Sequence, residues 1–232
     1  MAVHLDVSRT EEKYILSYAE AERLYLKLKQ LLPGDEINEY EPYCVRSLYF
    51  DSYYNDDYFD KLAGVRDRKK IRIRIYNTSD LTAKLEVKQK EGANQRKRSL
   101  TISRQEVEML CRGDYDFLLK QNKKLAEDVY YTLLKETYRP KCIVEYKRRA
   151  FAIPTNNIRI TFDSDIMVSE GNLDIYDDSA AMFIPAESKN KVILEVKYNN
   201  FLLSYIKDAL MLCDVTQESY SKYVRGRYLG LS

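Results

Sequence analysis

Arg72 and Arg74 alternate with Ile71, Ile73 and Ile75 in a run that begins Arg66-Asp67-Arg68-Lys69-Lys70. A strand sends successive side chains to opposite faces, so both guanidiniums point one way and the isoleucines the other. Ten residues on, Lys84, Glu86 and Lys88 alternate with Leu85 and Val87. The pattern returns in Arg159, Thr161 and Asp163 against Ile158, Ile160 and Phe162, and in Glu195 and Lys197 against Val192, Leu194 and Val196. The plain reading of any one such strand is a solvated outer face. Repeated over several strands, fixed cations with a few carboxylates among them suit a dense anion. Arginine's planar fork binds phosphate bidentately, and a carboxylate among the cations is what a phosphate site with a metal would need. For Glu86 and Glu195 the alternative is a salt bridge to a neighbouring lysine.

Other chemistries are excluded by what is missing. The only histidine is His4, which removes Ser–His and Cys–His nucleophiles and His-ligated metals. A hard metal held by oxygen remains open. No GxGxxG or GxxxxGK[ST] run occurs, so no glycine-rich turn cradles a nucleotide. The formal net charge of +2 gives no global field for nucleic acid, so an anion site must come from local charge. Cys44, Cys111, Cys142 and Cys213 lack CxxC spacing and read as reduced, mostly buried thiols of a cytoplasmic protein. No signal peptide or membrane-length apolar run is present.

The elements that would position these residues follow from periodicity. Strands are predicted at 9–16, 45–51, 70–76, 82–90, 96–102, 141–152, 157–163, 166–169 and 191–198. Ser17 with Glu20 and Ser103 with Glu106 are capping boxes that open helices to about residues 32 and 111. A short acidic helix is expected over 55–62, a helix-rich insert over 114–137, and closing helices over 201–213 and 217–228. Pattern and order describe one continuous α+β domain over residues 1–232, with helices outside the strands. Closing the sheet into a barrel would remove its edges and give the charged face an interior.

Several motifs then carry a resemblance: Glu11-Glu12-Lys13-Tyr14, Arg46…Tyr49-Phe50-Asp51, Lys70-Ile71-Arg72-Ile73-Arg74-Ile75-Tyr76, Leu85-Glu86-Val87-Lys88, Tyr146-Lys147-Arg148-Arg149-Ala150-Phe151, Arg159-Ile160-Thr161-Phe162-Asp163, Glu195-Val196-Lys197 and Ser221-Lys222-Tyr223. In this order they resemble the VTC (vacuolar transporter chaperone) polyphosphate polymerase domain, a branch of the triphosphate tunnel metalloenzymes related to CYTH proteins. The resemblance implies an eight-stranded antiparallel β-barrel whose basic lumen takes ATP and polyphosphate or triphosphate, with Mn²⁺ or Mg²⁺. It implies phosphate binding by Lys13, Arg72, Arg74, Lys88, Arg148, Arg159 and Lys222, with Ser221 beside the phosphates and Glu195 as metal ligand. Lys197 joins the phosphate-binding set as the cation alternating with Glu195, and Arg72, Arg74, Lys88, Arg148, Arg159 and Lys222 are the expected catalytic residues. Which of Arg96, Lys97 and Arg98 shares their face stays open, as does the choice of Arg148 over Arg149, which the Tyr-x-Arg-x-Ala pattern favours. The SPX domain and membrane helices of the fungal complex are absent, so the chain is expected as a stand-alone bacterial form that would need a separate membrane partner for any membrane contact.

The implied reaction suits the inventory. A polyphosphate end is already an oxyanion, so its attack on the ATP γ-phosphate needs no general base, only alignment and charge neutralisation. The alternatives are a triphosphatase on the same fold, with water as the acceptor, and a non-catalytic polyphosphate-binding module.

Overall fold

The computed structural model describes residues 9–37, 39–92, 94–179, 183–211, 213 and 217–231; His4 lies outside them. The fold is α+β: eight main strands, with one further two-residue strand, and seven α-helices among the described residues. The chain divides into two compact units.

The first unit draws on Met1–Cys44, Tyr146–Ile166 and Glu187–Tyr220. It contains β1 (Arg9–Ser17), α1 (Tyr18–Leu31), the later part of β6 (Arg139–Ile153), most of β7 (Ile158–Ser169), β9 (Lys191–Asn199) and α6 (Ser204–Leu210). Its strand order is β1-β9-β7-β6. The Ser17 capping box is formed as expected, with Glu20 N donating to Ser17 Oγ and Ser17 N to Glu20 Oε2. Ala21, Leu24, Tyr25 and Leu28 of α1 pack with Ile206 and Ala209 of α6 over Val192, Leu194 and Val196, and over Ile158, Ile160 and Phe162. Each buried Leu, Ile or Val side chain of that set adds about 1.5–3 kcal/mol. The opposite strand face is left to Glu11, Lys13, Arg159, Thr161, Asp163, Glu195 and Lys197.

The second unit draws on Val45–Glu145, Met167–Ala186 and Ser221–Ser232. It holds most of β2 (Tyr43–Asp51), α2 (Asp56–Leu62), β3 (Arg68–Ile75), β4 (Thr82–Glu91), β5 (Asn94–Ser103), α3 (Arg104–Arg112), α4 (Phe117–Lys120), α5 (Lys124–Lys135), the first part of β6, β8 (Ile184–Pro185) and α7 (Lys222–Leu231). Its order is β6-β2-β3-β4-β5, with β8 on the end of β7. Ile71, Ile73, Ile75, Leu85, Val87, Leu100 and Ile102 form one buried face under Val107, Leu110, Leu118, Val129 and Leu133 of α3, α4 and α5. The alternation read at residues 71–75 is therefore the real division between core and charged face.

The largest departures from the sequence reading are at three places, while other strand ends shift by one or two residues. The strands expected at 157–163 and 166–169 are one strand, β7, which absorbs a residue at φ 50° (Asp165) without ending. The helix expected from 217 starts at Lys222, because Ser221 is its cap: Val224 N donates to Ser221 Oγ and Arg225 N to the Ser221 carbonyl. The helix expected over 201–213 is confined to Ser204–Leu210. Cys142 is buried, whereas Cys44, Cys111 and Cys213 are half-buried, and all four are unbridged. No helix among the described residues is long and apolar enough to cross a membrane.

Candidate anion-binding site

In the second unit the strand registers assemble rows of charge on one face. Arg72 lies opposite Tyr49 of β2 and Glu86 of β4, Arg74 opposite Ser47 and Lys84, and Lys70 opposite Lys88. On β5, Lys97 faces Lys88 and Ser99 faces Glu86. The open choice among Arg96, Lys97 and Arg98 is thus resolved in favour of Lys97. Arg98 shares the side of Leu100 and Ile102 and donates to Asp128 of α5.

Around Glu86 three cations converge. Arg72 donates from both Nε and Nη2 to Glu86 Oε2, each at 2.7 Å, Arg74 Nη1 stands 3.8 Å from the same oxygen, and Lys97 Nζ contacts Oε1. Burial by itself would raise the Glu86 carboxyl, but Arg72, Arg74 and Lys97 outweigh it and hold it down at about 2. The cations therefore outnumber the carboxylate that gathers them, and the guanidinium forks are held in place before any ligand arrives. On the same face Lys70 Nζ donates to Ser221 Oγ at 2.7 Å, and Ser221 precedes Lys222 at the start of α7. Lys70 and Tyr49 take no place in the sequence-based site, and Lys97 entered it only as one of three open candidates. Lys70 was legible by parity, two residues before Arg72 on the same face, and Lys97 by counting back from Leu100 and Ile102.

The first unit arranges its charge differently. Lys13, Glu195 and Thr161 stand in one row across β1, β9 and β7, and Glu11, Lys197 and Arg159 in the next. Lys197 Nζ lies 2.5 Å from Glu195 Oε1, and Lys13 Nζ 3.2 Å from Glu11 Oε1. Arg148 donates to both oxygens of fully buried Asp163, at 2.7 and 2.8 Å, with its guanidinium over the Tyr146 ring. Burial disfavours that charge, yet Asp163, Tyr146 and Glu195 more than compensate and raise the guanidinium well above its ordinary value. Arg149 turns to the other side, pairing with Glu22 and stacking over Tyr25 of α1, which assigns the charged face to Arg148. Arg159 donates to Asp35 at 2.6 Å and to Tyr43 Oη at 3.2 Å. Burial and the hydrogen bond to Asp35 push the Tyr43 hydroxyl upward. Asp163 and Asp35 as partners were not read from the sequence.

A metal was expected at Glu195. Among the described residues no group of three or more His, Cys, Asp or Glu gathers as a metal cage. Glu195 is instead a buried carboxylate paired with Lys197, and directly across from it the buried Thr161 Oγ1 has no hydrogen-bond partner. One carboxylate beside an unsatisfied hydroxyl fits a hard divalent cation that takes its other ligands from phosphate and water; it does not fit a cation held by protein alone.

The model of the VTC domain family matches residues 8–229. No curated protein matches the sequence. Among solved structures, one from Hippeastrum, titled as a candidate adenylyl cyclase with a dominant triphosphatase activity, is similar at 12% identity and a TM-score of 0.55, covering 95% of this chain and 96% of that one. A candidate adenylate cyclase from Bacillus halodurans is similar at 13% identity and a TM-score of 0.52, covering 94% and 96%. At such identity the likeness concerns the fold, and it is the fold that the sequence resemblance implied.

Proposed function

This chain belongs to the VTC domain family, and we propose that it is a polyphosphate polymerase, moving the γ-phosphoryl group of ATP to the end of a growing polyphosphate chain. The observation that carries this reading is the convergence of Arg72, Arg74 and Lys97 on Glu86, a preorganised cationic surplus with no glycine-rich loop. Such a cluster suits a ligand that is mostly phosphate. Arg72 and Arg74, held in place by Glu86, would turn their other N–H groups to phosphate oxygens, and charge-assisted bonds of this kind contribute about 1.5–3 kcal/mol each. Within the second unit Lys88, Ser221 and Lys222 extend the contact; in the first unit, taken by itself, Lys13, Arg148, Arg159 and Lys197 are its own phosphate contacts in this reading. Arg148 is held in its rotamer by Asp163, which makes it a fixed charge rather than a searching one.

Glu195, with Thr161 beside it, would hold Mn²⁺ or Mg²⁺. When bound, such an ion neutralises charge building on the phosphate oxygens. The protein's own part is alignment. An attacking phosphate oxygen needs no proton removed, so no residue has to serve as general base. The triphosphatase activity described for the Hippeastrum neighbour favours a second reading, hydrolysis of triphosphate, in which water replaces the polyphosphate end. Incubation with ATP and Mn²⁺ separates the two: the polymerase releases ADP and long polyphosphate, whereas orthophosphate and ADP alone, even with a short polyphosphate primer, would establish the hydrolase. Glu195→Gln should nearly abolish metal-dependent turnover; unchanged turnover would remove Glu195 from the metal's ligands.

A further inference from the structure

The second unit contains a buried polar knot that the proposed chemistry does not use. Asp51, the last residue of β2, is fully buried and accepts four hydrogen bonds. Three come from backbone amides around the start of α2: Ser52 N at 2.7 Å, Asp57 N at 2.9 Å and Tyr58 N at 3.1 Å. The fourth comes from Tyr223 Oη at 2.5 Å. Tyr223 is the second residue of α7 and follows Ser221 and Lys222 directly. Its ring stacks on Tyr49 with centroids 5.1 Å apart, and Tyr49 Oη accepts from Arg72 at 3.0 Å. Lys70 Nζ lies 5.6 Å from the centroid of the same ring while donating to Ser221.

The remainder of α7 is docked independently of this bond. Arg227 pairs with Glu170 at 2.9 Å and donates to Asn55 at 3.1 Å. At Gly226 the backbone comes so near Val144 and Val168 that an added Cβ would lie 3.1 Å from each side chain. The Tyr223 hydroxyl is thus the fastening of the first turn alone. Burial and the Asp51 carboxylate push its ionisation upward, which keeps the phenol a donor across the working pH range.

We infer that Tyr223, clamped by Asp51, is a positioning residue: it fixes the first turn of α7 so that Ser221 and Lys222 stand ready for phosphate. The inference rests on the phosphate reading of this site and adds to it the part that prepares α7. A ligand bound by a turn that is ordered only part of the time has its affinity lowered by the ordered fraction, so losing the clamp weakens binding without touching the ligand.

The test is Tyr223→Phe in the full chain, which keeps the ring and its stacking and removes one hydrogen bond. Without ligand, amide exchange at residues 222–225 should quicken while the rest of α7 keeps its protection. Metal-free binding of inorganic tripolyphosphate, followed by calorimetry, should weaken about tenfold while the melting temperature falls by only a few degrees. Lys222→Ala/Tyr223→Phe should lose less affinity than the sum of the two single losses, because the clamp acts through the turn that carries Lys222. Affinity within about twofold of wild type, or fully additive losses in the double variant, would show a purely structural tyrosine and overturn the inference. Asp51→Asn, where it folds, should reproduce the affinity loss, and an unchanged affinity there overturns it equally. Wild-type protein that binds no tripolyphosphate overturns the phosphate reading and this inference together. Wild-type binding with an unaffected Tyr223→Phe overturns the inference alone.

Discussion

The two units place the same residue types on the same kind of strand face and balance them in opposite ways. Around Glu86 in the second unit, Arg72, Arg74 and Lys97 share one carboxylate. In the first unit Arg148 meets Asp163, Lys197 meets Glu195, Lys13 meets Glu11 and Arg159 meets Asp35. An anion approaching the first arrangement finds cations already assembled and in excess. One approaching the second must displace a carboxylate, or arrive with a cation that satisfies it. The contrast separates a unit whose cations outnumber the carboxylate they share from one whose charges are set by internal pairing, and under the proposed function the former would receive phosphate directly while Glu195 would take a metal.

The sharpest way to break this contrast is at Arg148. Removing one partner of a buried, doubly hydrogen-bonded pair leaves the other charge stranded, at a cost of about 3–5 kcal/mol. Arg148→Ala should lower the denaturation midpoint accordingly, and Arg148→Met/Asp163→Leu should recover much of the loss. An Arg148→Ala protein of undiminished stability would mean that the pair is loose and that internal pairing does not set the first unit's charges.

A second contrast concerns carboxylates. Where the first unit pairs Asp163 with a guanidinium, the second keeps Asp57 and Asp51 close together in its interior. Burial, then the neighbouring Asp51, pushes the Asp57 carboxyl from 3.8 up to about 8, against the pull of Tyr138, Lys69 and Lys70. Its Oδ1 accepts from Tyr138 at 2.8 Å, while Oδ2 is buried without a partner. Between those two values the folded protein holds a proton that the unfolded chain has released, so this group's contribution to stability falls as pH rises from about 4 to about 8. The slope approaches about 1.4 kcal/mol per pH unit. Asp57→Asn should remove that component and gain a few kcal/mol over wild type by about pH 8.5, read as chemical denaturation midpoints at pH 5 and 8.5. Identical slopes in both proteins would show that Asp57 finds a counter-charge or water in solution. Glu86 runs the other way: with its carboxyl held at about 2, its contribution is complete above 4.5 and fades as pH falls toward 2.

What the sequence revealed and what it hid divide along range. Alternation at Ile71–Ile75 located the charged face because period two is local, and the capping boxes at Ser17 and Ser103 marked two helix starts for the same reason. The choice among Arg96, Lys97 and Arg98 was blurred by three consecutive basic residues, although Leu100 and Ile102 carry the parity that decides it. The partners were out of reach. Asp163 for Arg148, Asp35 for Arg159 and Asp51 for Tyr223 are 15, 124 and 172 residues away in the chain, and no local pattern tells a carboxylate that will be buried against arginine from one that will face water.

The surplus in the second unit can be tested through Arg72 and Arg74 against the residue between them. Arg72→Ala or Arg74→Ala should weaken metal-free tripolyphosphate binding about tenfold to a hundredfold, the equivalent of about 1.5–3 kcal/mol. Stability should change less than in Ile73→Ala, whose side chain lies in the buried face and whose truncation costs about 2–5 kcal/mol. If the isoleucine change struck binding and the arginine changes did not, the anion would be bound on the other side of the strand.

The smallest expected effect addresses the first unit's balance most directly. Glu195→Gln keeps the shape of the buried side chain and removes its charge, so Lys197 loses the carboxylate 2.5 Å away and the row of Lys13, Thr161 and residue 195 becomes net positive. The first unit would then resemble the second, with a cation in excess. Without metal, tripolyphosphate should bind this variant more tightly than wild type, by a factor of a few, about 1 kcal/mol or less, because the gain is partly screened at half-exposed Lys197. The gain should shrink as salt is raised. Adding Mn²⁺ should strengthen binding to the wild type much more than to the variant, so that the order of affinities reverses in its presence. If the order is the same with and without the ion, Glu195 is only the internal partner of Lys197, and the first unit's balance has no metal to serve.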